Sequence, residues 1–534
     1  MGANARRPAA AAAPIPWVHV PTIAAVVVVA TWCIAVPGSF DAYQLPKLVA
    51  AAIAVVVGLT AIAVRGGLPI DRQWLPVIAL VVWLTIATLA ATDVGIALTG
   101  AATRRFGLVQ WLMLVGAFVI GRSIATPAGR SVLRWSLVAV SIPIAVVAVL
   151  QRLGLDPILM DGQVVRRPTS LLGSATQLGV ATAVGLVASL GAMLDRATRR
   201  PVLAAVMVLD VVALMLSQAR GSWIGAVAGV VLLVTLAARG RSVGEWATPV
   251  AIVIVAAAAT LLVPGIASRA GSLAAPTEGT AGGRLELLNM GAAAVGEHPL
   301  LGWGLDQSRL AMHGQIDEGF EAEYGDARVE DRAHDVFVDL AIWAGLPAAI
   351  ALVWLLVVVG RTLVRHRSDP VLATLAAVLL AVLAHWIFNF ATPELDVVTF
   401  LVLGAVLPMG ARRLGPAPSV LVVPLGLLAA VGVLAPSLDA LQADRAIAHG
   451  ADREEAADIV GARAEYQRAA ELDPGALTWE VLARFGRRTG DTALAVDASR
   501  IPPTRISRNC SAAVKPSTPS HWATFRPVSA PSTS

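Results

Sequence analysis

Residues 332–360 read RAHDVFVDLAIWAGLPAAIALVWLLVVVG: the titratable side chains Arg332, His334 and Asp335 stand directly before a long apolar run. An α-helix crosses the hydrocarbon core of a bilayer in about 20 residues, so the run from 341 to 360 is long enough to span. Similar blocks recur near 17–36, 47–64, 74–91, 106–121, 132–150, 171–194, 201–217, 221–237, 247–264, 370–389, 397–411 and 418–436. Backbone groups cannot be left unpaired in lipid, and these blocks are too long for barrel strands, so they predict helices. The expected fold class is all-α: a polytopic membrane protein with 12 to 13 transmembrane helices, matching a composition that is 57% hydrophobic and 14% charged.

The organisation read from these blocks is a cytoplasmic N-terminus (1–16), transmembrane helices 1–9 (17–264) and one long extracytoplasmic loop (265–340). Helices 10–13 (341–436), a soluble helical segment (437–500) and a tail (501–534) follow. MGANARRPAAAAAPIPW before the first apolar run reads as a signal anchor that is retained. Within 437–500, Ala462, Tyr466, Ala469 and Pro474 fall at the spacings of the second helix of a tetratricopeptide repeat, which predicts a small docking module. The tail is rich in Pro, Ser and Thr without periodicity and reads as disordered. Cys33 and Cys510 have no metal-ligand spacing, and no His pair has one either.

All but two of the 41 basic residues are arginine, so only an arginine's position carries information. With the N-terminus inside, the positive-inside bias is satisfied, and Arg104, Arg105, Arg152, Arg166, Arg167 and Arg220 are the residues that resist it. Arg220 is the sharpest of them: LMLSQARGSWIGAV leaves it in a tight turn between two spans, where an ion is a functional-site candidate by default. The alternative is an arginine snorkelling to headgroup phosphate. In the long loop, GRLELLNMGAAAVGEHP predicts a short helix with Arg284 in its first turn. HPLLGWGL then predicts a turn in which Gly302 and Gly304 let backbone approach something closely, with His298 before a proline in a positioning role.

The order GGRLELLNMGAAAVGEHPLLGWGLD, then AHDVFVDLAIWAGLPAAIAL, with LSQARGSWIG upstream, resembles the O-antigen ligase and polymerase family of bacterial membrane glycosyltransferases over roughly 165–410. Arg284 and Leu288 match the family's Arg with an apolar residue four positions on, and His334, Asp335 and Gly345 match its His, polar neighbour and Gly. The chain departs from the pattern at Asp335, where Asn, Ser or Gln is usual, at Ala348, and in RRPTSLLGSATQLG, which lacks an Asn.

The resemblance implies a metal-independent glycosyltransferase without cofactor, moving a glycan from a polyprenyl-diphosphate carrier to an acceptor hydroxyl on the outer face of the cytoplasmic membrane. The acceptor would be a glycan, lipid or protein in cell-surface polysaccharide assembly. Membrane lipids are the other partner, the C-terminal helices are a route to other envelope-assembly proteins, and no nucleic acid is involved. The chemistry can be stated without the family. A departing diphosphate gains negative charge, and guanidinium groups stabilise it with planar, permanently charged donors. That role falls to Arg220, Arg284, Arg167 and Arg166. An acceptor hydroxyl must lose its proton as it attacks, and imidazole is suited to take it, which makes His334 the general-base candidate with Asp335 beside it. Asp335 reads equally as a first-turn acid favoured by the helix dipole. The competing class is a non-enzymatic polysaccharide transporter or flippase, whose essential residue would be the intramembrane acid Asp210.

Overall fold

The computed structural model describes residues 19–499 apart from 67, 69, 102–103, 159–163, 196–199, 238–242, 264, 272–281, 317–330, 409–418 and 474–475. The N-terminal segment, Pro474, the acidic part of the long loop and the tail expected to be disordered lie outside the described residues. Among those described, regular structure is helical throughout, with no strand. The helices are α1 (Val20–Ala30), α2 (Gln44–Val64), α3 (Leu75–Leu89), α4 (Val94–Thr99), α5 (Leu108–Ser123), α6 (Pro127–Arg152) and α7 (Ala175–Leu194). Next come α8 (Arg200–Leu216), α9 (Arg220–Ala237), α10 (Val243–Thr260), α11 (Ile266–Gly271), α12 (Gly282–Glu297) and α13 (Ser308–His313). The chain continues with α14 (Val336–Arg365), α15 (Pro370–Phe388), α16 (Pro393–Val406), α17 (Ser419–Glu455), α18 (Ile459–Leu472), α19 (Ala476–Thr489) and α20 (Thr492–Ser499).

A helix occupies each apolar block read from the sequence. Among the described residues, seven helices are long and apolar enough to cross a bilayer: α2, Arg72–Leu89, α6, α7, α14, α15 and Gly426–Glu455 of α17. α1, α5, α9 and α10 are apolar but shorter. The bundle is centred on α7, 89% of whose span is buried inside the protein, and which packs against α6, α8, α9 and α15. α9 lies almost in backbone contact with α15: a Cβ added at Gly225 would stand 2.5 Å from the Ala381 carbonyl oxygen. Without a hydrophobic driving force between helices in lipid, small residues of this kind let two backbones approach. The consequence is local to the site, because this contact sets Arg220, at the start of α9, beside the C-terminal end of α15.

Arg104 and Arg105 precede α5 and Arg122 closes it, so they mark opposite ends of the bundle. At the Arg122 end, Nη2 pairs with Asp71 Oδ2 at 2.7 Å and Nη1 donates to the Leu407 carbonyl at 2.6 Å. Arg130 Nε donates to Ala405 O at 2.8 Å, so the terminal carbonyls of α16 are met by cations. At the other end, Arg104 bridges Asp306 (3.0 Å) and Asp331 (2.6 Å) of the long loop.

α14 is broken at Ala344 and Gly345 (φ +74°), two residues before Pro347, which has no N–H to donate. The carbonyls freed there are taken by other segments: Ile342 O by Trp303 N at 2.8 Å, Trp343 O by Gly304 N at 3.0 Å, and Ala344 O by Trp83 Nε1 at 2.9 Å. Leu346 N in turn donates to Pro299 O at 2.8 Å. The long loop is thereby stitched to the kink, and α12 packs on α14 with Gly291 against Ala333, Val338 and Ile342.

α17 runs without interruption from the last apolar block into the soluble segment. Its Ala443, Ala446 and Ile447 form a second core with Ala462, Tyr466 and Ala469 of α18 and with Leu482 and Phe485 of α19. This core is joined to the Arg104 end of the bundle: Arg105 pairs with Asp473 at 2.7 Å, and Asp41 N donates to Asp444 Oδ1 at 2.5 Å.

Candidate functional site

α8 ends in Ser217–Gln218, with Gln218 in the left-handed region (φ +52°), and the chain turns at once into α9. The terminal carbonyls of α8 carry the negative end of its dipole. Two arginines from other segments meet them: Arg167 Nε donates to Ser217 O at 2.8 Å, and Arg269 Nε to Gln218 O at 3.4 Å. Arg220 stands two residues beyond, and Arg284 enters from the first turn of α12. Arg284 is half-buried; burial first, and then the positive charges of Arg220, Arg269 and Arg167, hold its guanidinium below the ordinary arginine range. Arg269 is lowered by burial and then by Arg220 and Arg167. Four arginines from four segments therefore share one electrostatic site. Arg166 is exposed beside Arg167.

His334 occupies a left-handed conformation, φ +58°, uncommon for any residue but glycine. Both flanks hold it there. Upstream, buried Arg332 donates to Ala391 O at 2.6 Å, and Ala333 N donates to Asp339 Oδ1 at 2.7 Å. Downstream, Asp335 is the N-cap of α14, accepting from Phe337 N at 2.9 Å and Val338 N at 3.0 Å. Burial raises the Asp335 carboxyl above its ordinary range, and those two N–H bonds oppose the rise. The His334 ring lies 5.2 Å from the Phe390 ring, over which the Arg332 guanidinium sits at 4.3 Å.

Phe388–Thr392, the link between α15 and α16, joins the two halves of the site. One end abuts α9, where a Cβ at Gly221 would lie 2.9 Å from Phe388 and 3.1 Å from Asn389 Nδ2. The other end, Phe390 and Ala391, holds the His334 turn. Asn389 Nδ2 and Ser222 Oγ each lie 3.3 Å from Nδ1 of buried His385. The arginine cluster and His334 thus stand on either side of one short segment.

The remaining sequence candidates lie elsewhere. Gly302 (φ +65°) and Gly304 (φ +112°) do bring backbone into close approach, and their partner is the α14 kink: a Cβ on Gly302 would stand 2.5 Å from the Trp343 carbonyl carbon. His298 is exposed at this junction, its ring 4.5 Å from Trp303. Asp210 is buried in α8 with Ser141 Oγ at 3.1 Å. Sequence reasoning passed over Arg269 and His385. Arg269 lies just after an apolar block, at the start of the long loop, and His385 and Asn389 are polar residues closing an apolar run in LAHWIFNFATPELD, a signal of the kind that singled out Arg220.

An array of guanidinium groups beside an imidazole suits a ligand with a diphosphate at one end and a hydroxyl to be deprotonated near it. Among the described residues, no three His, Cys, Asp or Glu side chains gather as metal ligands. Residues 203–353 match the family model described as O-antigen ligase. The match runs from α8 into α14, so it takes in Arg220, Arg269, Arg284, His334 and Asp335 and leaves Arg167 and His385 outside. No curated protein matches the chain.

Proposed function

From the match of residues 203–353 to the family model described as O-antigen ligase, we propose that the chain transfers a glycan from a polyprenyl-diphosphate carrier to an acceptor hydroxyl at the outer face of the cytoplasmic membrane. The observation that carries this reading is the gathering of Arg167, Arg220, Arg269 and Arg284, whose mutual repulsion a bound diphosphate would relieve. His334 takes the proton of the acceptor hydroxyl, and the hydroxyl oxygen attacks the anomeric carbon. The bond from that carbon to the diphosphate oxygen breaks, and the electron pair leaves with the polyprenyl diphosphate. The arginines stabilise the charge that develops there, an effect worth about 3–4 kcal/mol for one well-placed donor. Asp335 acts by capping α14 and so fixing the turn that presents His334. His298, Gly302 and Gly304 act at a remove, by locking the loop onto the α14 kink.

The test uses membranes from cells making wild type, His334→Ala, Arg284→Ala or Asp210→Asn at matched levels, with lipid-linked and mature surface glycan both measured. The transferase reading expects the His and Arg variants to accumulate outward-facing lipid-linked glycan and lose mature product, with Asp210→Asn active. Loss of function in Asp210→Asn alone, with lipid-linked glycan retained on the cytoplasmic face, would establish a transporter instead.

A further inference from the structure

We propose that the cleft between the C-terminal helices and the Phe40–Leu45 segment is a second binding site, which holds the acceptor as a neutral, hydroxyl-rich oligosaccharide. The acceptor role rests on the transferase reading above; the sugar-binding chemistry does not. The cleft has a volume of about 240 Å³, and Phe40, Gln44, Arg105, Asp444, Asp473 and Thr478 are among its walls. Sites for drug-sized ligands begin at roughly 300 Å³, so this one suits a single sugar ring of a longer chain.

The decisive group is Asp444. It is only 4% exposed, its Oδ1 accepts from Asp41 N, the Phe40 backbone N–H also lies against the carboxylate, and Oδ2 is buried without a well-formed hydrogen bond. A buried carboxylate oxygen left unsatisfied is expensive, and a sugar hydroxyl reaching into the cleft supplies the missing donor. Beside it, the Arg105–Asp473 pair keeps both side chains partly exposed, 20% and 24%, so each has further donors or acceptors to offer a diol. Phe40 is 55% exposed, an apolar ring in a wall it shares with Leu45, Ile447 and Leu477, and such a surface fits the C–H face of a pyranose. Among the charged residues of the walls, Asp41, Asp444 and Asp473 outnumber Arg105, which disfavours a phosphorylated ligand and sets this cleft apart from the arginine cluster.

The cleft is also wired to that cluster. Arg104, next to Arg105, holds Asp306 and Asp331 of the long loop. Past Phe40, Lys47 Nζ donates to Leu171 O at 2.7 Å, and the Tyr43 ring packs on Gly173, both in the loop that carries Arg166 and Arg167. One wall of the cleft is therefore continuous with one wall of the transfer site.

The experiment titrates full-length protein in nanodiscs with lipid-free neutral hexasaccharides derived from mannan, arabinan and dextran, read by saturation-transfer NMR. Wild type, Phe40→Ala, Asp444→Asn and His334→Ala are compared, with transfer assayed in parallel. At least one probe is expected to bind wild type and His334→Ala equally, and to bind Phe40→Ala and Asp444→Asn about ten-fold or more weakly. In transfer, Phe40→Ala raises the acceptor KM and leaves kcat near wild type. Binding of no probe, or equal binding by all four proteins, overturns the proposal. If wild type transfers no glycan while Phe40→Ala loses sugar binding, the transferase assignment falls and the glycan site stands.

Discussion

His334 is held at φ +58° by what lies on either side of it, which separates its conformation from its chemistry. Asn tolerates that backbone region better than most residues. His334→Asn should therefore keep the wild-type Tm in detergent while transfer falls by about 10²- to 10⁴-fold, the usual contribution of a general base. Arg269→Ala should lower transfer at least about ten-fold, with Arg269→Lys recovering part of it, as measured on lipid-linked donor in membranes. Asp335 carries a pH signature. Its folded-state carboxyl is raised by burial, so the folded protein holds this proton to higher pH than the unfolded chain does. Its contribution to stability therefore declines as pH rises from the ordinary carboxylate range to the raised one. Asp335→Asn keeps a capping oxygen and removes the ionisation, so its Tm should gain on wild type across that window and stay level with it below.

At the scale of elements, α14 and the loop segment 298–304 are interlocked by glycines that face each other's backbone. Gly345 has φ +74°, and a Cβ there would stand 2.0 Å from the Leu300 carbonyl oxygen. Gly345→Ala combines an extended positive-φ backbone that essentially only glycine adopts (φ +74°, ψ 172°), about 1–3 kcal/mol, with overpacking of about 1–3 kcal/mol. It should lower Tm and folded yield, and, by loosening the turn that presents His334, lower transfer as well. The apolar run, Pro347 and the glycine punctuation were all readable from the sequence. That the glycines answer one another could not be read, because residues 302 and 345 meet only when the loop folds back on the helix.

At the scale of the whole molecule, the Arg105–Asp473 pair joins the C-terminal helices to the membrane bundle. Both partners are partly solvated, so breaking the pair should cost only about 0.2–1 kcal/mol and leave the bundle folded. Arg105→Asp or Asp473→Arg alone should speed proteolysis between α17 and α19, and the double exchange should restore protection, read by limited digestion in nanodiscs.

Apolar block length and the need to satisfy every backbone group in lipid determined the helical, membrane-embedded class from sequence alone, since both are local properties. Order and spacing of Arg220, Arg284 and His334 likewise pointed to the family. Tertiary structure alone decided which charges share a site. Arg167, Arg220, Arg269 and Arg284 come from segments more than a hundred residues apart at the extremes, and their mutual field exists only after packing. The Phe388–Thr392 link and the Asp444 cleft belong to the same class of fact: each is defined by what a distant segment lays against it, which no local pattern encodes.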